Sequence, residues 1–490
     1  MSPLHRTALT LSEKFYRAAL LAYPAAYRAR FGDEMLAVFR ELSAEKVRES
    51  GVVGGIGLWA REASGLARSA LRERFNSVHA TMHSMWQPTF AWALAVFVTV
   101  LAGYVATLAP TVTFWDAGEF LAASKVLGVP HQPGTPVWVF LSHAWATLLP
   151  FGEYAFRVNL MTAVFSAAAA AFLFLVVRTA LARPDGETSD LWANVGGAAA
   201  ALVAAFTFTL WQNSNETEVY AIAGFSIAIT TWLAMVWRQH RGTSKAIRML
   251  CLMTYIGAFS TGNHLLALLV GPAVVGFMLH VLRTDPLPDA RAARAEWVQW
   301  SVFGAAWVLL IGTGLGSAAL LMFAGSVFLI TTLLAAREGS LRFALALLAI
   351  SVVGVSTYLF LYIRAAHLPV LNMSDPSTWD ALLSVIRREQ YPTRLPTDNP
   401  LYLSGEGNPG RTFSLLWLQI RNYLQYFDWQ WAMGLDQRSP LFAPSRLPFT
   451  LAFASLGIYG ASVLKQRDRS AFWLLVLIFA ITGPGLVGYM

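Results

Sequence analysis

Charged residues are scarce in this sequence. Only 13% of its 490 residues are Asp, Glu, Lys or Arg, whereas 56% are apolar. A soluble protein of this size carries about 25% charged residues. The composition therefore excludes an ordinary soluble domain and predicts a polytopic membrane protein. We interpret the net charge of +8 as a topology signal and expect no nucleic-acid partner.

Several other features are missing. Cys251 is the single cysteine, so neither a disulfide framework nor a thiolate metal site is expected. His-rich stretches and Asp-x-Asp spacings do not occur, and we expect no metal and no other cofactor. The first long apolar run begins near residue 90, which is far too late for a cleavable signal peptide.

The sequence does contain a series of apolar runs, each long enough to cross a bilayer as a helix of about 20 residues. They predict an all-α polytopic membrane protein of about 11 transmembrane helices. The predicted spans are 90–109, 158–182, 191–210, 217–237, 247–262, 264–283, 298–315, 317–336, 342–363, 446–464 and 471–490.

Residues 1–85 precede the spans and form a charged segment whose apolar positions recur at helical spacing, which predicts a small helical domain. Four arginines stand shortly before the first span: Arg61, Arg68, Arg72 and Arg74. By the positive-inside tendency they place this domain in the cytoplasm. With that topology the inner loops collect Lys and Arg, whereas the short outer turns 211–216 and 260–264 contain neither.

Residues 86–490 are then one transmembrane domain with two long outer regions, 110–157 and 364–445. Within the first, segment 134–150 is apolar but short, and counting it as a full span would invert every later loop. We therefore predict a re-entrant or interfacial helix there. The second contains an aromatic amphipathic stretch, 417–431, which predicts a helix lying in the membrane interface.

Within the first outer region, the stretch 111–134 holds two carboxylates, Asp116 and Glu119, three residues apart. One interpretation is helix capping, with Asp116 at the N-cap and Glu119 at N3. The other is a general base at the membrane surface, because an attacking hydroxyl must lose its proton to a positioned carboxylate. The two interpretations are compatible. His131, which follows Pro130, is either a loop histidine bonded to the backbone or a contact for a phosphate or a sugar hydroxyl.

Three further positions fall at the same predicted level. Glu218 enters a helix after an outer turn, and Asn263-His264 forms another tight outer turn. Polar groups at such a depth are candidates for function. They are candidate substrate-binding residues.

Basic residues near the predicted outer face are candidates for binding a phosphate group. Arg157 opens the second span together with Asn159, as interface anchors or as contacts of a lipid phosphate. The cluster 387–394 is either a solvated loop or a phosphate site, since Arg forks bind phosphate oxygens. Arg388 and Arg394 are its candidate ligands.

The ordered series of these motifs resembles the transmembrane protein 260-like O-mannosyltransferase family over about residues 90–490. The matching blocks are Leu108-Ala-Pro-Thr-Val-Thr-Phe-Trp-Asp-Ala-Gly-Glu119, Leu127-Gly-Val-Pro-His-Gln-Pro-Gly-Thr-Pro136, Arg157-Val-Asn159, Glu218-Val-Tyr220, Gly262-Asn-His-Leu-Leu-Ala267, Asn372 with Asp375-Pro376, and Arg388-Glu-Gln-Tyr391. The last block adds Gln390 and Tyr391 to the candidate substrate-binding residues. Members of the family continue beyond the apolar segment in which this chain ends, so we expect a fragment.

The resemblance implies a multi-spanning glycosyltransferase of the C type. Such an enzyme moves a sugar, for example mannose, from a polyprenyl-phosphate carrier to a protein or glycan acceptor outside the cytoplasm, with inversion. Asp116 matches the family's acidic residue in the first outer loop and is the expected base, whereas Glu119 would orient the site or bind the acceptor. His131, His264, Arg388 and Arg394 are candidates for the donor phosphate.

Two alternatives remain at the level of the sequence. A transporter or flippase of lipid-linked sugars would place polar residues at the bilayer midplane and repeat its halves. A sensor would act through residues 1–85. The collection of polar groups at one face favours the enzyme, and the composition favours a bacterial inner membrane with the site on the periplasmic side.

Overall fold

The computed structural model describes residues 3–85, 88–182, 190–391, 395, 397–438 and 441–489. The secondary structure of these residues is helical, with one isolated bridge between Val129 and Asn372 in place of any sheet. The predicted all-α class is therefore confirmed. The chain forms two compact units, residues 1–91 and 92–490.

The first unit consists of α1, a short 3-10 turn and the long α2. Their bounds are Pro3–Ala19, Leu20–Ala22 and Ala25–Met85. Non-helical backbone at Ser50 and Gly51 kinks α2. Apolar side chains on the facing sides of the helices form a small core, in which the rings of Tyr16 and Phe39 stack at 3.9 Å.

The second unit contains the remaining helices. They are α3 Pro88–Ala106 (whose first residues belong to the first unit), α4 Ala117–Val126, α5 Pro136–Leu148, α6 Tyr154–Leu181, α7 Asp190–Ala205, α8 Phe208–Ser214, α9 Tyr220–Gln239, α10 Ser244–Thr261, α11 Val270–Thr284, α12 Ala290–Leu315, α13 Ala318–Arg337, α14 Leu341–Val355, α15 Leu359–Ala366, α16 Trp379–Arg387, α17 Phe413–Ala432, α18 Leu447–Arg467, α19 Arg469–Ala480 and α20 Leu486–Tyr489. Short 3-10 turns lead into α11 and join α14 to α15, and a π-helical turn joins α19 to α20.

Eight of the described helices are long and apolar enough to cross a membrane, or nine if the bent pair α7 and α8 forms one span. The protein is thus a multi-pass membrane protein. Each of the eleven predicted spans falls on helix in its described residues, but two of them miss this criterion even when the bent pair counts as one span. Helix α10 carries Lys245 and Arg248 in its first turns, which lowers its hydropathy, and the segment from Arg469 to Gly485 is short.

Segment 134–150 forms α5, a helix of 13 residues, which is too short to span a hydrocarbon core of about 30 Å. The backbone amide of Val137 donates to the Gly262 carbonyl at 2.8 Å and ties the first turn of α5 to the turn that follows α10. Trp138 and Val139 are fully buried against α4 and α6. These contacts hold the chain around residues 131–136 in place.

The second predicted outer region contains α16 and α17, and the aromatic stretch 417–431 lies within α17. A fully buried ion pair joins α17 to the start of α18, with Arg446 Nε 3.0 Å from Asp428 Oδ2. The Thr450 hydroxyl donates to the other carboxylate oxygen at 2.6 Å. This pair fixes the end of the region against the spans.

Candidate active site

Asp116 occupies the N-cap position of α4, but its side chain makes no capping hydrogen bond. Among the described residues no hydrogen bond or ion pair engages its carboxylate, and the residue is exposed. The capping interpretation is therefore wrong for this side chain. The preceding residue, Trp115, has a φ of 62°, a left-handed conformation that costs a non-glycine residue about 1 to 2 kcal/mol. The turn presents Asp116 as an open carboxylate.

Glu119, in the first turn of α4, is fully engaged with His131. Its carboxylate accepts the His131 backbone amide at 2.5 Å, and the imidazole Nδ1 lies 3.1 Å from both carboxylate oxygens. Burial would raise the pKa of Glu119, but the hydrogen bonds and charge of His131 outweigh it and the pKa is lowered. The hydrogen bond to Glu119 raises the pKa of His131, against the opposing effect of burial. The two groups form an ion pair.

Glu218 shares the electrostatic environment of this pair. Burial raises its pKa to about 7, and the charges of Glu216 and Asp116 add to the shift, whereas the charge of His131 opposes it. The charges of Asp116 and Glu218 in turn raise the pKa of His131. The fold thus brings Asp116 and Glu218, which are distant in the sequence, within electrostatic range of each other.

His264 lies at the edge of the same cluster, with its ring 5.2 Å from that of Tyr220 in an edge-on contact. Its Nδ1 accepts the backbone amide of Leu266 at 3.1 Å. Burial, and then the charge of Arg388, lowers its pKa to about 4. His264 is therefore neutral at pH 7 and offers an N–H donor rather than a positive charge.

Arg388 brings the predicted second outer region to the cluster. It ends α16 in a left-handed conformation with a φ of 58°, and its Nη1 donates to the Gly314 carbonyl at 2.7 Å. Its charge acts on His264, so the guanidinium lies within electrostatic range of the site. Arg394 lies outside the described residues.

Two sets of contacts join the first and second predicted outer regions. Val129 pairs with the chain on both sides of Asn372, because its amide donates to the Leu371 carbonyl and its carbonyl accepts the Met373 amide, both at 2.9 Å. Arg364 donates to the carbonyls of Leu127 and Val126 at the end of α4. These contacts fix the position of the chain that leads to His131.

The second set is a triangle of hydrogen bonds among Gln132, Ser374 and Gln390. Gln132, which is 5% exposed, donates from Nε2 to the Ser374 hydroxyl at 3.2 Å and accepts the Gln390 backbone amide at 3.1 Å. The Ser374 hydroxyl donates to Gln390 Oε1 at 3.3 Å. The amide side chain of Gln390 thus takes part in joining the loops. Tyr391, next to it, is 45% exposed and remains available to a ligand.

Arg157 and Asn159 are used within the protein. Arg157 Nη1 donates to the carbonyls of Ala146 and Leu149 and so caps the end of α5. Asn159 is 1% exposed; it donates to the carbonyls of Ala109 and Thr111 and accepts the Thr217 hydroxyl at 2.6 Å. It ties the loop before Asp116 to the loop before Glu218, which is a positioning role rather than substrate contact.

Asn263 is also buried, and one of its polar atoms has no partner among the described residues. Its Nδ2 donates to the Val219 carbonyl at 3.3 Å, whereas Oδ1 is unpaired. The side chain lines a cavity of about 530 Å³ whose other walls are mostly apolar. Pro136, which follows the site segment, borders the same cavity. An apolar space thus adjoins the polar cluster.

Sequence reasoning missed Gln132 and Ser374. No local pattern indicates a hydrogen bond between residues 242 positions apart. The available signal was that Gln132 stands beside His131 in the block shared with the family. In the described ranges, no group of three or more His, Cys, Asp or Glu side chains is arranged to hold a metal ion.

These features define a multi-pass membrane protein, all-helical in the residues described, with a polar site to which several loops contribute. Residues 116–286 match the family model described as the Protein O-mannosyl-transferase TMEM260 N-terminal domain. Over this range the chain is similar to that family's N-terminal domain.

Two curated relatives carry the same name. The mouse Protein O-mannosyl-transferase TMEM260 is 35% identical over 170 residues, which are 35% of this chain and 22% of the relative. The Dictyostelium discoideum Protein O-mannosyl-transferase tmem260 is 25% identical over 199 residues, 38% of this chain and 23% of the relative. The match thus spans less than a quarter of either relative. No solved structure matches the chain significantly.

Proposed function

We propose that this protein is a membrane glycosyltransferase that moves a sugar, with mannose as the first candidate, from a polyprenyl-phosphate carrier to a protein or glycan hydroxyl. The observation that carries the proposal is the open carboxylate of Asp116, within electrostatic range of His131 and Glu218. The names of the two relatives support the reaction class. The site faces away from the cytoplasm in the topology that the basic loops favour.

In the proposed reaction Asp116 takes the proton of the acceptor hydroxyl. The acceptor oxygen then forms a bond to the anomeric carbon from the side opposite the phosphate. The bond between that carbon and the phosphate oxygen breaks, its electron pair leaves with the polyprenyl phosphate, and the sugar configuration is inverted. Positive charge near the departing phosphate lowers the barrier, and His131 and Arg388 are the described groups that can supply it.

The donor class is supported by the cavity beside the site. Its walls are mostly apolar side chains of α5, α6, α9 and α10, which suit a hydrocarbon chain rather than a nucleotide. A soluble nucleotide sugar would also need to reach the non-cytoplasmic face. Both considerations favour a lipid-linked donor.

The test is transfer of label from a radiolabelled polyprenyl-phosphate sugar by the purified protein. Asp116→Asn is expected to abolish transfer while donor binding persists, because the amide cannot accept the proton. Glu153→Gln is the matched control, since Glu153 lies in the same predicted loop and makes no capping bond. Transfer by Asp116→Asn at the rate of the control would contradict the assignment of the base.

A further inference from the structure

Trp115 stands directly before the open carboxylate and is almost wholly outside the protein. Its side chain is 90% exposed, and that of Phe114 is 88% exposed. Neither ring packs on another aromatic ring in the part of the chain that the structure describes. Exposed large apolar side chains next to a polar site indicate a surface for binding.

The backbone of Trp115 is unusual as well. Its φ of 62° is a conformation that bulky residues rarely adopt, and burial of the indole does not compensate for it. Strained residues of this kind are concentrated at functional sites. Contact between the indole and a bound substrate would therefore explain both the strained backbone of Trp115 and the exposure of its side chain.

The position of Asp116 limits what can cover Trp115. In the proposed function the acceptor hydroxyl lies within hydrogen-bond reach of Asp116, about 3 Å away, and the anomeric carbon lies about 3 to 3.5 Å beyond it. A protein acceptor brings only a short side chain to that point. The ring present with every acceptor is that of the transferred sugar.

An indole can bind such a ring because one face of a pyranose presents C–H groups, which are attracted to the electron-rich face of an aromatic system. We propose that Trp115 is a substrate-contact residue on which the transferred sugar stacks. This proposal rests on the proposed function for the identity of the ligand.

The experiment measures binding of a polyprenyl-phosphate sugar and of the same polyprenyl phosphate without sugar, by wild type and by variants in one detergent. Wild type is expected to bind the sugar-bearing lipid more tightly. Trp115→Ala and Trp115→Leu are expected to reduce the ratio between the affinities for the two lipids by about tenfold. Trp115→Phe, which keeps an aromatic face, retains most of it. The control is Phe151→Leu, at another exposed aromatic residue of the same predicted loop, and it is expected to resemble wild type.

A leucine that replaces Trp115 without loss would overturn the proposal, because the residue would then be only an apolar membrane anchor. Equal affinity of wild type for the two lipids would overturn it too. Binding does not require transfer. A protein that binds the sugar through Trp115 but transfers nothing would therefore contradict the proposed function alone.

Discussion

The carboxylate of Glu119 holds His131 by both its backbone amide and its imidazole ring. Because of this pair, the two carboxylates at the start of α4 differ in their hydrogen bonding although they are only three residues apart. Glu119 is committed to a partner that orders the loop, whereas Asp116 is open. This difference is the reason for assigning the base to Asp116 and a positioning role to Glu119.

We expect Glu119→Gln to lower the free energy of unfolding by about 1 to 2 kcal/mol at neutral pH, since it removes a hydrogen-bonded charge pair. The pKa of Glu119 is lowered and that of His131 is raised. The stabilising effect of the ion pair is therefore lost as the pH falls through the pKa of Glu119 or rises through the pKa of His131. Thermal unfolding of both proteins across pH measures this. A difference that stays constant with pH would contradict the ion pair.

Glu218 is expected to make the protein less stable as the pH rises. Its pKa in the folded protein is about 7, above the ordinary value of 4.5, so between these values the folded state binds more protons than the unfolded state. Linkage then requires stability to fall with rising pH in this window. Glu218→Gln should flatten that dependence, as measured by unfolding midpoints at about pH 5 to 8. An unchanged slope would show that Glu218 is not buried as described.

Gln132→Ala should uncouple the two loops. It leaves the Gln390 amide without its acceptor and the Ser374 hydroxyl without a donor, at a cost of about 1 to 3 kcal/mol. Ser374→Ala is the matched comparison, because it keeps the bond between Gln132 and the Gln390 amide and should cost less. Limited proteolysis within 364–445 should show the same order. Equal stability of the two variants would argue against the triangle.

Asp428→Ala should destabilise the protein by about 3 to 5 kcal/mol, because it leaves the buried guanidinium of Arg446 without its countercharge. The double variant Asp428→Leu, Arg446→Met should recover much of this loss, since no buried charge remains. Unfolding midpoints of the single and double variants provide the measurement. A double variant less stable than Asp428→Ala would contradict this account.

The spans were predictable because a run of apolar residues is a local property. The predicted spans 90–109 and 342–363, for example, overlap α3 and the pair α14 and α15, which a 3-10 turn joins. The short helix α5 was predictable for the same reason. Its 13 residues are too few to cross the hydrocarbon core of a bilayer as a helix.

The contacts of the site were less predictable. Asn159 was a candidate for lipid phosphate, but its amide is used by the carbonyls of Ala109 and Thr111 and by the Thr217 hydroxyl. A polar residue at the start of a span gives the same sequence signal in either role. Only the positions of its neighbours in space distinguish the two.

The sequence by itself determined that this protein is a multi-pass helical membrane protein and that its polar groups fall in a few loops, because hydropathy and charge act locally along the chain. The tertiary structure decided which of these groups meet and which remain open. Glu119 is engaged because the bend at residues 130–136 returns His131 to the start of α4, whereas no described group forms a hydrogen bond or an ion pair with the Asp116 carboxylate. That outcome depends on hydrogen bonds between distant segments, which no local pattern specifies.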